Sequence, residues 1–285
     1  MNHKKAIFCA VLAAALYAIN APISKLLLTE IPSTMMAGLL YLGAGAGMCL
    51  LEKLTKHEKE IPLTKKELPY TLAMVVLDIA APILLMIGLT KCSAAHASLL
   101  NNFEIVATSL IALFVFREAI GKRLWLAIIL VTISSILLSF EDMSSLQFSW
   151  GSIFVLLACV CWGFENNCTR MLSSKNPSQI VIIKGFGSGL GALTLSIAIG
   201  EHFFQIGYMV LALILGFVAY GLSIYFYIYA QRDLGAARTS TYYAVSPFIG
   251  TGLSLMIFKE LPSASFIAAL LIMAAGTYFA STSEN

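Results

Sequence analysis

The sequence predicts an all-α polytopic membrane protein, with ten transmembrane helices arranged as two inverted five-helix repeats. Three observations carry this expectation. Hydrophobic residues make up 59% of the 285 residues and charged residues 12%, half the charged share of a soluble domain. The apolar residues fall into ten runs, roughly 6–28, 33–51, 69–90, 93–116, 123–141, 150–172, 178–200, 207–230, 235–258 and 263–281. At about 20 residues per span, each is long enough to cross a bilayer. The chain also repeats itself. Gly43-Ala-Gly-Ala-Gly47 returns as Gly187-Ser-Gly-Leu-Gly191, Ala94-Ala95 and Ser98 as Ala236-Ala237 and Ser240, and Phe116-Arg-Glu118 as Phe258-Lys-Glu260. Tyr17-Ala and Lys25 likewise match Trp162-Gly and Arg170. The offsets drift in order from 145 to 142, the mark of one duplicated unit. A duplication in a chain this apolar is the usual ground plan of a secondary transporter.

The expected units are 1–143 and 144–285. An odd number of spans per unit obliges the second copy to enter the membrane from the opposite face. The first run, preceded by Met-Asn-His-Lys-Lys, has the look of a signal peptide. Its counterpart, 150–172, is internal, so it reads as an uncleaved first helix. With the N-terminus in the cytoplasm, fourteen of the 18 Lys and Arg residues lie inside. These are Lys4, Lys5, Lys53, Lys56, Lys59, Lys65, Lys66, Arg117, Lys122, Arg123, Arg170, Lys175, Arg232 and Arg238. Only Lys25, Lys91 and Lys259 lie outside, and Lys184 falls within a span. This positive-inside bias predicts a multi-pass protein of the cell (inner or plasma) membrane with both termini cytoplasmic. The net charge of +3 therefore reports topology, and no nucleic-acid partner is expected.

Taken in order along the chain, the spans carry distinct signals. The glycines of the second and seventh spans include the pairs Gly43/Gly47 and Gly187/Gly191, spaced to let backbones approach in lipid. Close packing is the favoured reading. Positions two apart point to different faces, so one face is expected to pack and the other to adjoin a cavity, or the helix to flex. Pro22, Pro82 and Pro247 fall mid-span, where each frees a carbonyl and can kink its helix. The fifth and tenth spans carry no intramembrane charge and read as peripheral struts. The six cysteines fall in or beside spans and read as small apolar packing residues.

An ionisable group inside a span costs about 2.5–3.5 kcal/mol on insertion scales, so it needs a reason. Glu104 shares a face of the fourth span with Asn101 and Thr108. It reads as a substrate or proton site, the alternative being a hydrogen-bonded core residue. Glu165 shares a face of the sixth span with Trp162, Asn166 and Thr169, and its repeat counterpart is Asn20. Asp78, whose counterpart is Tyr220, lies one turn before Pro82 and is placed to bind a freed backbone group or a cation. Lys184 is expected to snorkel to the cytoplasmic interface; otherwise it pairs with Glu165, Glu104 or a substrate carboxylate. Tyr220, Tyr242 and Tyr243 lie deep enough to line a pocket for an amine or an aromatic amino acid. HExxH, Walker and GxGxxG patterns are absent from the sequence, and no cofactor or metal is expected.

These residues resemble the drug/metabolite transporter superfamily in its EamA-type ten-helix branch. The resemblance rests on the tandem repeat, Trp162-Gly163, and the end of each fourth helix. There the family pattern Ala-Ser…Glu-Pro…Glu is split: Ala97-Ser98…Glu104-Ile105…Glu118 in one copy, Thr239-Ser240…Ser246-Pro247…Glu260 in the other. It implies an inverted-repeat carrier whose central cavity is lined by spans 1–4 and 6–9. The expected function is secondary active transport, as an exporter, of a small polar or amphipathic metabolite such as an amino acid, by alternating access. The alternative is a proton-coupled transporter of an amine or cationic drug. Glu104 and Glu165 are then cavity carboxylates, with the proton as coupling ion, because burial disfavours the charged carboxylate. An intramembrane enzyme is the remote alternative, as Asp78 has no partner aspartate and no mid-span histidine exists. The expected partners are the substrate and membrane lipids.

Overall fold

Apolar runs of about 20 residues match the length of a membrane-spanning helix, which satisfies every backbone group internally, and helices are what they become. In a computed structural model the described residues are 3–54, 61–117, 119–142, 147–172, 174–234, 239 and 242–282. Lys56, Lys59, Glu118, Ala236, Ala237, Arg238, Ser240 and the boundary between 143 and 144 lie outside them. The first span divides into α1 (His3–Ala18) and α2 (Asn20–Leu27), and the second is α3 (Ser33–Leu54). The third is α4 (Leu68–Lys91), the fourth α5 (Ala94–Leu100) and α6 (Phe103–Phe114), and the fifth α7 (Lys122–Ser139). The sixth and seventh are α8 (Trp150–Leu172) and α9 (Pro177–Ala198). The eighth comprises α10 (Ile206–Gly216), a π-helical turn (Phe217–Leu222) and α11 (Ser223–Leu234). Then follow α12 (Ser246–Phe258) and α13 (Ala264–Ser281).

Among the described residues nine helices are long and apolar enough to cross a membrane; the ninth predicted span contributes the shorter apolar α12. Its start is set by Pro247, which sits in the first turn, where a missing N–H costs nothing. Pro22 likewise falls in the first turn of α2. Both prolines therefore follow a break between helices, whereas Pro82 remains inside the continuous α4. The fourth span breaks at Asn101–Asn102 and the ninth at Ala244–Val245, nearly the same place in the repeat. Among the described residues one local pairing departs from all-helical structure: Phe140–Asp142 runs antiparallel to Gln147–Phe148, with Phe140 opposite Phe148.

The helix pairs respect the duplication. α3 packs along α9 and α7 along α13, and exchanging the two copies leaves each of these pairs unchanged; α5 of the fourth span packs against α12 of the ninth. The α4–α8 pair exchanges with the α1–α11 pair. This is the two-fold relation expected of an inverted repeat, the second unit entering from the opposite face. The struts α7 and α13 stand against each other, joined by Ser134 Oγ donating to the Ala269 carbonyl at 2.6 Å.

The glycines let the central helices touch backbone to backbone. A Cβ at Gly43 would overlap the Leu213 carbonyl of α10, and one at Gly216 would overlap the Leu40 carbonyl of α3. Gly45 and Gly185 meet where α3 crosses α9, with Gly185 C only 3.0 Å from a Cβ built at Gly45. Gly47 faces the Phe217 ring, while Gly187 and Gly191 face Val75 and Ile79 of α4. Both faces of each triplet pack. The expectation of a cavity on one face is corrected, because α4, α9 and α10 all close on the same glycine-rich stripes.

Candidate functional site

Three helices bring three ionisable side chains to one buried point. Asp78 comes from α4, Glu165 from α8 and Lys184 from α9, and all three are at most 5% exposed. The Lys184 ammonium lies 3.1 Å from Asp78 Oδ2 and 2.9 Å from Glu165 Oε1. Asp78 Oδ1 accepts from the Tyr41 hydroxyl at 2.8 Å, and among the described residues Asp78 Oδ2 is served by the ammonium alone. Glu165 Oε1 also accepts from Thr169 Oγ1. The expectation that Lys184 snorkels is corrected. Two carboxylates in a low-dielectric interior hold the ammonium more strongly than the interface could draw it out.

Glu104 is held separately. It stands in the first turn of α6, and its Oε1 accepts from Asn166 Nδ2 at 2.5 Å. Asn166 Nδ2 is also 3.4 Å from Thr108 Oγ1. Asn167 Nδ2 bridges the carbonyls of Thr108 (3.1 Å) and Gly163 (2.8 Å). This seam needs α6 and α8 close together, and Gly163 permits it, since a Cβ there would lie 2.8 Å from that of Ala107. Adjacent residues of α8 thus serve opposite sides: Glu165 the ion triad, Asn166 the Glu104 carboxyl.

An aromatic group completes the centre. Tyr220, in the π-helical turn, lies 5.1 Å from the Tyr41 ring and 5.8 Å from the Tyr17 ring, centre to centre. Its hydroxyl accepts from Asn20 Nδ2 at 2.9 Å, and Asn20 Oδ1 accepts from Ser24 at 3.0 Å. Tyr243 lies tilted against the Tyr17 ring at 6.1 Å and edge-to-face with Tyr227 at 5.0 Å. Tyr242 is not brought here; it packs with Ala6, Ala10, Ala230 and Leu234. Trp162 is buried in the main core. Asn101 lies at the helix break, where its carbonyl and side-chain oxygens approach the Cys159 thiol.

The repeat explains the arrangement. Glu165 and Asp78, joined through Lys184, have Asn20 and Tyr220 as counterparts, and those two join directly. One seam is charged and its mate neutral. Lys184 has Leu40 as counterpart, and Tyr41 has Gly185, 144 positions on. Tyr41 was not singled out from the sequence. An ordinary tyrosine beside a glycine stripe carries no local signal, and only the comparison with Gly185 marks it as a place where the copies differ.

The EamA-like transporter family matches the chain twice, over residues 4–140 and 149–282. An uncharacterized transporter of Methanothermobacter thermautotrophicus (strain Delta H) is 23% identical over 264 residues, covering 86% of this chain and 76% of that protein. A protein of known crystal structure superposes with a TM-score of 0.68 over 97% of this chain and 96% of its own, at 14% identity, which supports the fold alone. Matched over nearly its whole length in two copies, the chain is a membrane transporter belonging to the EamA-like transporter family, within the drug/metabolite transporter superfamily.

Proposed function

We propose that the protein is a secondary active transporter that exports a small polar or amphipathic metabolite such as an amino acid, by alternating access. The observation that carries this reading is the charge balance at the centre. Asp78, Glu165 and Glu104 supply three carboxyl groups, and Lys184 supplies one ammonium. A zwitterion fits both signs: its ammonium competes with Lys184 for Glu165 and Asp78, and its carboxylate takes the Lys184 ammonium so released. Opening the triad removes the ionic tie that joins α4, α8 and α9, which gives the substrate a differential contact between two states, as a carrier requires. Glu104 is held by an amide rather than a cation, so it can exchange a coupling proton without breaking an ion pair. The lysine and arginine distribution orients both termini to the cytoplasm of a cell (inner or plasma) membrane. We assign no catalytic step, since Lys184 lies between the carboxylates as a counter-ion and not beside a nucleophile.

Counterflow in proteoliposomes tests this. Glu104→Gln is expected to abolish transport driven by a pH gradient while leaving the melting temperature and the elution profile close to wild type. Undiminished proton-driven flux in that variant would remove Glu104 from the coupling step. A second reading, a proton-coupled carrier of an amine or cationic drug, is favoured by the net negative triad beside Tyr17, Tyr41 and Tyr220, whose ring faces attract cations. Thermal stabilisation of purified protein by amino acids, amines and nucleosides separates the two. Amines that stabilise without a carboxylate support the second.

A further inference from the structure

A second polar centre lies apart from the triad, where three helix breaks converge. The end of α1, the break between α5 and α6 and the start of α12 line a small, partly open cavity of about 10 Å³, enough for the centre of one water-sized particle. Ser98 of the first copy and Ser246 of the second line it. They are 3% and 1% exposed, and among the described residues neither hydroxyl has a hydrogen-bond partner. A buried, unpartnered hydroxyl costs about 1–3 kcal/mol, and two facing one cavity ask for a shared ligand.

The other groups at the cavity favour a cation. Pro22 has no N–H to give the Ala18 carbonyl four residues back. That oxygen reaches the cavity wall: it lies 3.0 Å, and Ser98 Oγ 3.1 Å, from the point where Gly250 would carry a Cβ. Glycine at that position leaves both oxygens accessible. The α12 N-terminus, which would attract an anion, offers few donors. Pro247 has none, and the Phe248 and Ile249 amides are both taken by the Val245 carbonyl, at 3.1 Å each. Neutral oxygens from unwound segments of both repeats are the kind of ligand set that holds coupling cations in broken-helix carriers.

We propose that Ser98, Ser246 and the Ala18 carbonyl form a binding site for a small monovalent cation of sodium size, bridging the two repeats. The inference rests on the transport reading only in giving the cation a coupling role; binding itself does not depend on it. The test is thermal melting of the purified full-length protein in detergent, in sodium, lithium, potassium or choline chloride at equal ionic strength. Sodium is expected to raise the melting temperature saturably over choline, with potassium weaker. Ser246→Ala and Ser98→Ala should melt in choline at or above wild type, because each removes an unpartnered hydroxyl. In sodium both should lose the increment, with apparent affinity reduced roughly tenfold or more. Pro22→Ala, which returns an N–H to the Ala18 carbonyl, should weaken sodium binding as well. Cation-independent melting of the wild type overturns the proposal, as does an equal loss of stability by the serine variants in choline and sodium, the signature of a structural water. Solute flux with cation-independent melting sinks this site and leaves the carrier standing; sodium stabilisation without flux does the reverse.

Discussion

Lys184→Met is expected to destabilise the protein by about 3–5 kcal/mol, the cost of breaking a buried ion pair by removing one partner. The lysine neutralises two carboxylates at once, at 2.9 Å and 3.1 Å, in a site where all three side chains are nearly inaccessible to solvent. Without it, Asp78 and Glu165 face each other across the α4–α8 seam, and among the described residues the Tyr41 and Thr169 hydroxyls are the donors that remain. Thermal melting in detergent reads the effect. A second substitution separates charge from packing. Adding Asp78→Asn to Lys184→Met removes one uncompensated charge at nearly constant volume, so the double variant should be more stable than Lys184→Met alone. If Lys184→Met melts like the wild type, the triad is not assembled in the resting protein, and the competition between Lys184 and substrate goes with it.

Gly216→Val has the second large effect, expected to exceed about 3 kcal/mol and to prevent recovery of folded protein. Overpacking a filled core ordinarily costs about 1–3 kcal/mol through side-chain and backbone shifts. Here the clash is with backbone, which cannot turn aside. The first carbon of the new side chain would overlap the Leu40 carbonyl of α3 and lie 2.6 Å from its carbon. Gly43 makes the reciprocal contact with Leu213, so α3 and α10 are clasped in both directions. Separating them would also disturb the π-helical turn that begins at Phe217 and presents Tyr220. Gly252→Ala is the control. A Cβ there meets nothing within 4 Å, and alanine inside a helix should stabilise by about 0.5–1 kcal/mol. Recovery and monodispersity of the purified variants decide between the two positions.

The residues themselves show why part of the site was legible beforehand and part was not. Asp78, Glu104 and Glu165 stood out because a carboxyl in an apolar span is rare for an energetic reason, and that reason holds wherever the helix is placed. Asn166 was legible as a neighbour on the polar face of α8. Its partner was not, since nothing in α8 says that α6 lies within 2.5 Å of its amide nitrogen. For Lys184 the sequence leaves both snorkelling and pairing with Glu165 open, because a lysine six residues into a span has the length to reach water; the packing of α9 against α4 and α8 denies it that route and leaves the pairing. Tyr242 and Tyr243 could not be told apart, being adjacent near the ninth-span break; the structure turns Tyr243 toward Tyr17 and Tyr242 toward the end of α11.

By itself the sequence determined the class, the span count, the duplication and the list of groups too costly to bury without purpose. These follow from transfer energies and chain connectivity, which are properties of each segment and of segment order. Only the tertiary structure decided who pairs with whom: that Lys184 closes Asp78 against Glu165, that Asn20 meets Tyr220 as their neutral mate, and that Ser98 and Ser246 share one cavity. Those pairings depend on how deeply one helix settles against another. Here that depth was set by glycines such as Gly45, Gly163, Gly185 and Gly216, whose partners lie far away along the chain.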